Sequence, residues 1–384
     1  MSVMLIKAKI KELKYRPGKS IRTNGLIRYR LAEFDINTAT ASGIIEVNEN
    51  NTLTYSKWVT PKRTRSYPFA RIYDTYSFGG KRVTIIPVIK DEGLGAGKNK
   101  SNNDRINFIT LSWMNLANIY VILAWYDNAE KMTKFRITSQ EFNTDYVNEK
   151  IKEISEFQFD AHHWNNRHFQ NDFIYVYTKA VKAYNKISKT LSVELHDSNG
   201  HEQFLEKITD DSGKVISLEK FANETLSKSK SAAIRETMVR HKHENVSLKL
   251  SKPVFEMRNC LGGKYYLTSD EVEIDSKNRK IAILECKNAT DSKLPKEADI
   301  KDGLFKILLF SQIEKLEIDG KGYDHDVSLK LTGRISSSLI LPAKEDDIRY
   351  FISSENLTSS DSKLIFMLNE EAILNGYKII IGNN

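Results

Sequence analysis

The chain is 384 residues long, 40% hydrophobic and 28% charged, a length that ordinary domain sizes divide into about two domains. No apolar run approaches the roughly 18–20 residues of a membrane span, and its two cysteines, Cys260 and Cys286, offer neither a disulfide framework nor a zinc quartet. The net charge of +8 is unevenly spread: residues 1–100 carry 19 Lys and Arg against 8 Asp and Glu, or +11, and the remaining 39 against 42 give −3.

The opening MSVMLIKAKIKELKYRPGK has too short an apolar patch for a signal peptide and no small-residue cleavage site. A cytoplasmic protein with no membrane contact is the expectation. Residues 1–135 read as mostly β, because GLIRYRLAEFDI, SGIIEV, TLTYSKWV and KRVTIIPVI are rich in branched and aromatic residues and divided by Asn and Gly clusters. Within them, TPKRTRSYPFARIYDTYSFGGKRV (60–83) interleaves Lys62, Arg63, Arg65, Arg71, Lys81 and Arg82 with Tyr67, Phe69, Tyr73 and Tyr76. The aromatics are expected in the core and the charged residues on phosphate or guanine.

The loop GLGAGKNK (93–100) is one residue short of a phosphate-binding loop, and Asn99 stands where Ser or Thr would hold a metal. It reads as a basic loop in which Lys98 and Lys100 could still meet a DNA backbone. The apolar FITLSWMNLANIYVILAWY (108–126) reads as a buried helix followed by a strand.

Helices are expected over 142–157 and 171–190, joined by the polar link DAHHWNNRHFQN. That link holds His162, His163 and His168, but no pair of them has i, i+4 spacing and no Cys accompanies them, so a metal site is not expected. A further helix is expected over 217–241 with Ser217 as its N-cap. The domain boundary is drawn near 155: a basic, β-rich DNA-binding portion (1–155) ahead of an α/β portion (156–384) that carries the chemistry.

That chemistry is sought in SDEVEIDSKNRKIAILECKNA, residues 269–289. EVEI and RKIAILEC are strands around a polar turn. A turn centred on 277–278 pairs residues whose numbers sum to about 555, which sets Asp270 opposite Glu285, Val272 opposite Ile283 and Ile274 opposite Ile281. The period of two brings Lys287 to the same face. Asp275 lies in the turn, about 17 Å from Asp270 at about 3.4 Å per residue. Two opposed carboxylates make a site for a divalent cation, and oxygen ligands suit Mg²⁺. A neighbouring ammonium can orient water and offset developing charge. The only other E-x-K, Glu12-Leu13-Lys14, has neither an upstream Asp nor an apolar strand before it; a solvated strand end is the bland reading of such a pair.

Asp270 in TSDEVEI and Glu285-Cys286-Lys287 in IAILECK resemble the motif of the PD-(D/E)-x-K nuclease superfamily, and within it the type II restriction endonucleases. The resemblance runs through NATDSKLPKEADIKDGLFKILLFSQIEKL (288–316) and covers about residues 255–335, with Ser269 where the family name has Pro. It implies an α/β (α+β) fold in which a restriction-endonuclease-like mixed sheet flanked by helices follows a β-rich N-terminal domain. It also implies Mg²⁺ held by Asp270, Glu285 and the carbonyl of Cys286, with Lys287 positioning water and products bearing 5′-phosphate and 3′-hydroxyl ends. A helix Glu often completes such sites; Glu236 is the candidate here and Glu224 the next.

In the downstream helix, Lys301 and Lys306 are five apart and not squarely on one face. They are carried as phosphate contacts, with Asp302–Lys306 as a possible surface ion pair and Gln312 as a residue that could reach the site. The expected protein is a homodimeric, Mg²⁺-dependent endonuclease acting on double-stranded DNA, needing no nucleotide cofactor. The alternatives are another superfamily nuclease, in repair, transposition or nucleotide-activated defence, and a DNA-binding protein whose hairpin is inert.

Overall fold

The computed structural model describes residues 4–16, 18, 25–61, 67–95, 103–238 and 253–382, with only the backbone for helical residues 67–68, 227–229, 232–233 and 235–238. The chain divides into two compact units: unit 1 comprises Met1–Gly25, Phe69–Ser77 and Ser229–Asn384, and unit 2 comprises Leu26–Pro68 and Phe78–Lys228. Both are mixed α/β. The boundary expected near 155 falls at the end of a helix inside unit 2, and the first 25 residues belong with the C-terminal part.

The chain starts in unit 1 with β1 (Leu5–Ile10), then builds β2 (Ile27–Arg30), β3 (Ser42–Glu46) and β4 (Thr52–Lys57) of unit 2. Helix α1 (Tyr67–Thr75) returns it to unit 1. Unit 2 resumes with β5 (Lys81–Pro87), β6 (Ile89–Asp91), β7 (Asn103–Arg105), α2 (Phe108–Leu116), β8 (Tyr120–Ala124), β9 (Tyr126–Thr133) and β10 (Arg136–Phe142). The helices α3 (Thr144–Glu156), α4 (Ala161–Asn171), α5 (Phe173–Leu191), α6 (Asn199–Ile208) and α7 (Leu218–Met238) follow. Unit 1 is completed by β11 (Val254–Asn259), β12 (Lys264–Thr268), β13 (Glu271–Asp275), β14 (Lys280–Asn288), α8 (Glu297–Ser311), β15 (Ile313–Ile318) and β16 (Lys321–Thr332). Last come β17 (Leu339–Leu341), α9 (Glu345–Ser354), α10 (Ser359–Asn375) and β18 (Lys378–Ile381).

The described strands of unit 1 form one sheet in the order β12-β11-β1-β15-β16-β14-β13, with β18 on β16 and β17 on β18. Strand β1 lies parallel to β11 (Leu5↔Val254 to Ile10↔Asn259) and antiparallel to β15. Its alternation buries Ile6, Ala8 and Ile10, which is why a segment at the front of the sequence is part of the C-terminal unit. Strands β14 and β16 run parallel, and α8 lies on the connection between them.

In unit 2, β2-β3-β4-β5-β8 form a five-stranded sheet. The apolar stretch at 108–126 is a helix then a strand as expected: Asn107 caps α2 by accepting from the N–H of Thr110, and β8 is buried throughout. Ser217 caps α7, its hydroxyl accepting from Lys220 N–H at 3.2 Å.

The segment DAHHWNNRHFQN is helix α4 rather than a polar link, and it finishes the open edge of β8. Asn165 Oδ1 accepts from Val121 N–H (2.7 Å), its Nδ2 donates to Ile119 O (2.9 Å), Trp164 Nε1 donates to Val121 O (2.9 Å), and His168 Nε2 accepts from Leu123 N–H (3.0 Å). A buried strand edge without such partners would leave several backbone groups unsatisfied. The helical spacing of 164, 165 and 168 presents these side chains on one face. His168 is therefore a structural residue.

Because His168 Nε2 accepts from Leu123, Nδ1 carries the proton and donates to Asp172 Oδ2 at 2.6 Å. Burial pushes the His168 pKa down despite the Asp172 carboxylate. A folded value below the unfolded one of about 6.5 gives stability that is present above that pH and is lost as pH falls through it. Replacing His168 by Ala strands the Leu123 N–H and is expected to cost about 1–3 kcal/mol in urea unfolding at pH 7.5; the gap from wild type should narrow at pH 5.5.

Candidate active site

The hairpin forms in the expected register. β13 and β14 pair Val272 with Ile283, Ile274 with Ile281 and Asp275 with Lys280. Ile281, Ile283 and Glu285 are buried while Lys280 and Ala282 are exposed, so the inward face of β14 ends on a carboxylate. At the far end Asp275 builds the turn, accepting from the N–H groups of Lys277 (3.0 Å) and Asn278 (2.9 Å). Those hydrogen bonds lower its pKa, and Arg279 completes the turn at φ +51°.

Asp270 precedes β13 by one residue, just beyond the Glu271–Leu284 pair. Its Oδ2 accepts the N–H of Cys286 at 2.8 Å. Ser269, at the position where the family motif has Pro, is buried and donates its hydroxyl to Glu271 O at 3.3 Å.

Glu285 is 2% exposed. Its Oε1 lies 3.2 Å from Lys287 Nζ and its Oε2 lies 2.6 Å from Lys306 Nζ. Lys287 Nζ also donates to Asp302 Oδ2 at 2.8 Å. The result is an alternating chain, Asp302–Lys287–Glu285–Lys306, flanked by Asp270: three carboxylates against two ammonium groups. Burial pushes the Glu285 pKa up, the Asp270 charge adds to the rise, and the two lysines oppose it. Burial disfavours the Lys287 ammonium, but the Asp302 and Glu285 carboxylates outweigh it and hold its pKa well above the ordinary lysine value. In this arrangement Lys287 is an ammonium donor to both carboxylates. Burial raises the Cys286 thiol to about 12, leaving it a thiol at neutral pH.

Helix α8 supplies half of this arrangement through its 3.6-residue period. Asp302 and Lys306, at i and i+4, reach β14. Lys301 and Phe305, also i and i+4, reach α1: Lys301 Nζ is 2.5 Å from Asp74 Oδ1 and also pairs with Glu297, and Phe305 stacks on Phe69 with ring centroids 5.1 Å apart. A Cβ on Gly303, between these two faces, would come within 2.6 Å of Leu329 Cδ1 and 3.2 Å of Lys287 Cε.

The remaining sequence candidates divide. Lys62, Arg63, Arg65, Lys98 and Lys100 lie outside the described residues, as does the side chain of Glu236. Glu224 lies in the segment belonging to unit 2, and Glu285 in unit 1. Lys81 caps the C-terminus of α3, donating to the carbonyls of Ile154 (2.7 Å), Ser155 (2.9 Å) and Phe157 (2.6 Å). All three of its protons are used there, so it is not presented to phosphate. Arg71 and Arg82 are half-buried and each has a partner within the fold.

Lys301 is 3% exposed and held between carboxylates, so it is a structural ion pair rather than a phosphate contact. Lys306 is committed to Glu285, which replaces the surface pair with Asp302 expected from the sequence. Gln312 accepts from Lys14 N–H at 3.2 Å and belongs to the packing of the N-terminal segment. Sequence reasoning missed Asp302, Gly303 and Asp74 as parts of the arrangement. The signal was available in KDGLFKILLF, because a helix apolar on nearly every face is buried and its charged residues then need partners.

Among the described residues no group of three or more His, Cys, Asp or Glu is arranged to hold a metal ion. Asp270 and Glu285 offer a pair of oxygen donors at the hairpin end. Lys301→Ala, which takes a buried ammonium away from Asp74 and Glu297, is expected to lower stability by about 1–3 kcal/mol, read as a drop in the urea midpoint at unchanged slope.

Compared with known proteins, the chain matches no family model, and neither the search of curated proteins nor that of solved structures returned a match.

Proposed function

We propose that the chain is a Mg²⁺-dependent endonuclease of the PD-(D/E)-x-K type that cuts double-stranded DNA at a specific sequence. One observation carries the reading: the Asp270 carboxylate, fixed on the Cys286 N–H, stands across the hairpin from the buried Glu285, whose Oε1 is bound by the Lys287 ammonium. The antiparallel β13–β14 pair followed by α8 and the parallel β14–β16 pair supports it as the mixed, helix-flanked sheet that such an enzyme needs.

Asp270 and Glu285 fit a hard divalent cation by donor type and by charge, because their mutual repulsion and the burial of Glu285 both favour a nearby positive ion. In this reading Asp270, Glu285 and the Cys286 carbonyl would hold Mg²⁺, at a carboxylate that the Lys306 ammonium pairs with here. The ion supplies polarisation of the scissile phosphate and a lower pKa for bound water. Lys287, paired with Asp302 and Glu285 as an ammonium, would donate to the attacking water or to the phosphate and offset the negative charge gained as the phosphorus is attacked. Cleavage leaves 5′-phosphate and 3′-hydroxyl ends. Two strands require two such sites, and a homodimer supplies them.

The second reading, a DNA-binding protein with an inert hairpin, is favoured by the fact that both Glu285 oxygens already lie on ammonium groups. Digestion of a sequenced plasmid with Mg²⁺, followed by end mapping, separates the two. Discrete fragments are expected from wild type, with rates about 100-fold or more lower in Asp270→Ala and Lys287→Ala. Cleavage at wild-type rate in both variants would overturn the site, and smears or cutting of only RNA or single strands would move the reading to another nuclease of this type. Asp275→Asn keeps the turn-building oxygen and is expected to cleave as wild type does, in the same plasmid assay.

A further inference from the structure

We propose that Asp302 is a positioning residue for Lys287, with Gly303 as the gap that lets the lysine reach it; this rests on the nuclease reading of the hairpin. Three independent features support it. Asp302 is 4% exposed, and its Oδ2 lies 2.8 Å from Lys287 Nζ, closer than the 3.2 Å from that ammonium to Glu285. The aliphatic part of Lys287 passes over α8 at Gly303, where an added Cβ would meet Leu329 Cδ1 at 2.6 Å, Lys287 Cε at 3.2 Å and Lys287 Cγ at 3.3 Å. Asp302 also sits one helical turn before Lys306, the second ammonium on Glu285, so α8 delivers a carboxylate and a cation to the same strand end.

A flexible lysine chain on a strand would otherwise sample many rotamers. Anchoring its ammonium between two carboxylates occupies two of its three protons and leaves one to donate elsewhere. The role is orientation of a donor during the chemical step, and it predicts a loss in kcat rather than in DNA affinity.

The test uses the full chain and two readouts. The first is cleavage kinetics of wild type, Asp302→Asn and Asp302→Glu. The second is acylation of lysines by an N-hydroxysuccinimide ester, quantified at Lys287 and at the exposed Lys280 by mass spectrometry. Asp302→Asn is expected to lower kcat about 10- to 100-fold with KM for DNA unchanged, Asp302→Glu to recover part of it, and Lys287 to acylate much faster in Asp302→Asn than in wild type. An unchanged kcat with unchanged Lys287 acylation in Asp302→Asn overturns the proposal, as does wild-type Lys287 acylating as fast as Lys280. If the wild type cleaves nothing, the nuclease reading fails while the acylation contrast still decides whether Asp302 holds Lys287. If circular dichroism shows Asp302→Asn unfolded, the wild-type contrast and Gly303→Ala decide it, the latter being expected to raise Lys287 acylation by displacing the chain.

Discussion

A carboxylate buried at the end of an apolar strand must be matched by positive charge, and the placement of Glu285 sets the surroundings of the whole hairpin end. Withdrawing one ion from water costs several kcal/mol even after relaxation, and the attraction that offsets this is strong only at close range. The two ammonium groups that meet Glu285 come from its own strand and from α8, so the same requirement that neutralises the acid fixes the rotation of the helix. A helix turned by one residue, about 100°, would direct Lys301, Asp302 and Lys306 away from Asp74, Lys287 and Glu285 respectively. The other face of α8, with Lys301 on Asp74 and Phe305 on Phe69, locks the same orientation from behind. Charge pairing is thus what gives an almost wholly buried helix one defined seat.

Unit 2 spends its polar groups in a different way. Its sheet ends on β8, whose backbone is completed by the side chains of Trp164, Asn165 and His168 instead of by another strand. Lys81 is consumed by the carbonyls ending α3, and Lys57 Nζ donates to the carbonyls of Ile36 (2.6 Å) and Ala39 (2.7 Å). Basic residues in the N-terminal hundred therefore include several whose charge serves the backbone. Net charge describes the field that a long polyanion meets, while the number of phosphate contacts depends on which ammonium groups remain directed outward.

Much of this was legible in the sequence. The pairing of Val272 with Ile283 and of Ile274 with Ile281 followed from turn position and the period of two, because a hairpin is a local structure whose register the turn sets. The helix-then-strand at 108–126 and the cap at Ser217 were equally local. What could not be read was long-range. Nothing near Leu5 announces that it pairs with Val254, and nothing in YPFARIYDT says that its helix packs against a segment more than 200 residues later. DAHHWNNRHFQN reads as a polar link because its side chains are hydrophilic, yet those of Trp164, Asn165 and His168 replace a missing strand. Lys301 and Lys306 were judged by spacing along one helix, and spacing alone does not say which neighbour each face meets.

The insertion of β1 between β11 and β15 has a consequence for synthesis. A nascent chain emits Leu5–Ile10 early, but the strands that flank it arrive with residues 254–259 and 313–318. Until then Ile6, Ala8 and Ile10 form an apolar edge with no sheet to join, and closing that gap carries the entropy of a very long loop. Unit 2 can complete its own sheet in the interval, since its described strands span only residues 27 to 142. The sheet of the hairpin-bearing unit is thus completed only once residues 313–318 have been made. Splitting the gene at any single point between the two units would leave one fragment holding a strand that the other requires.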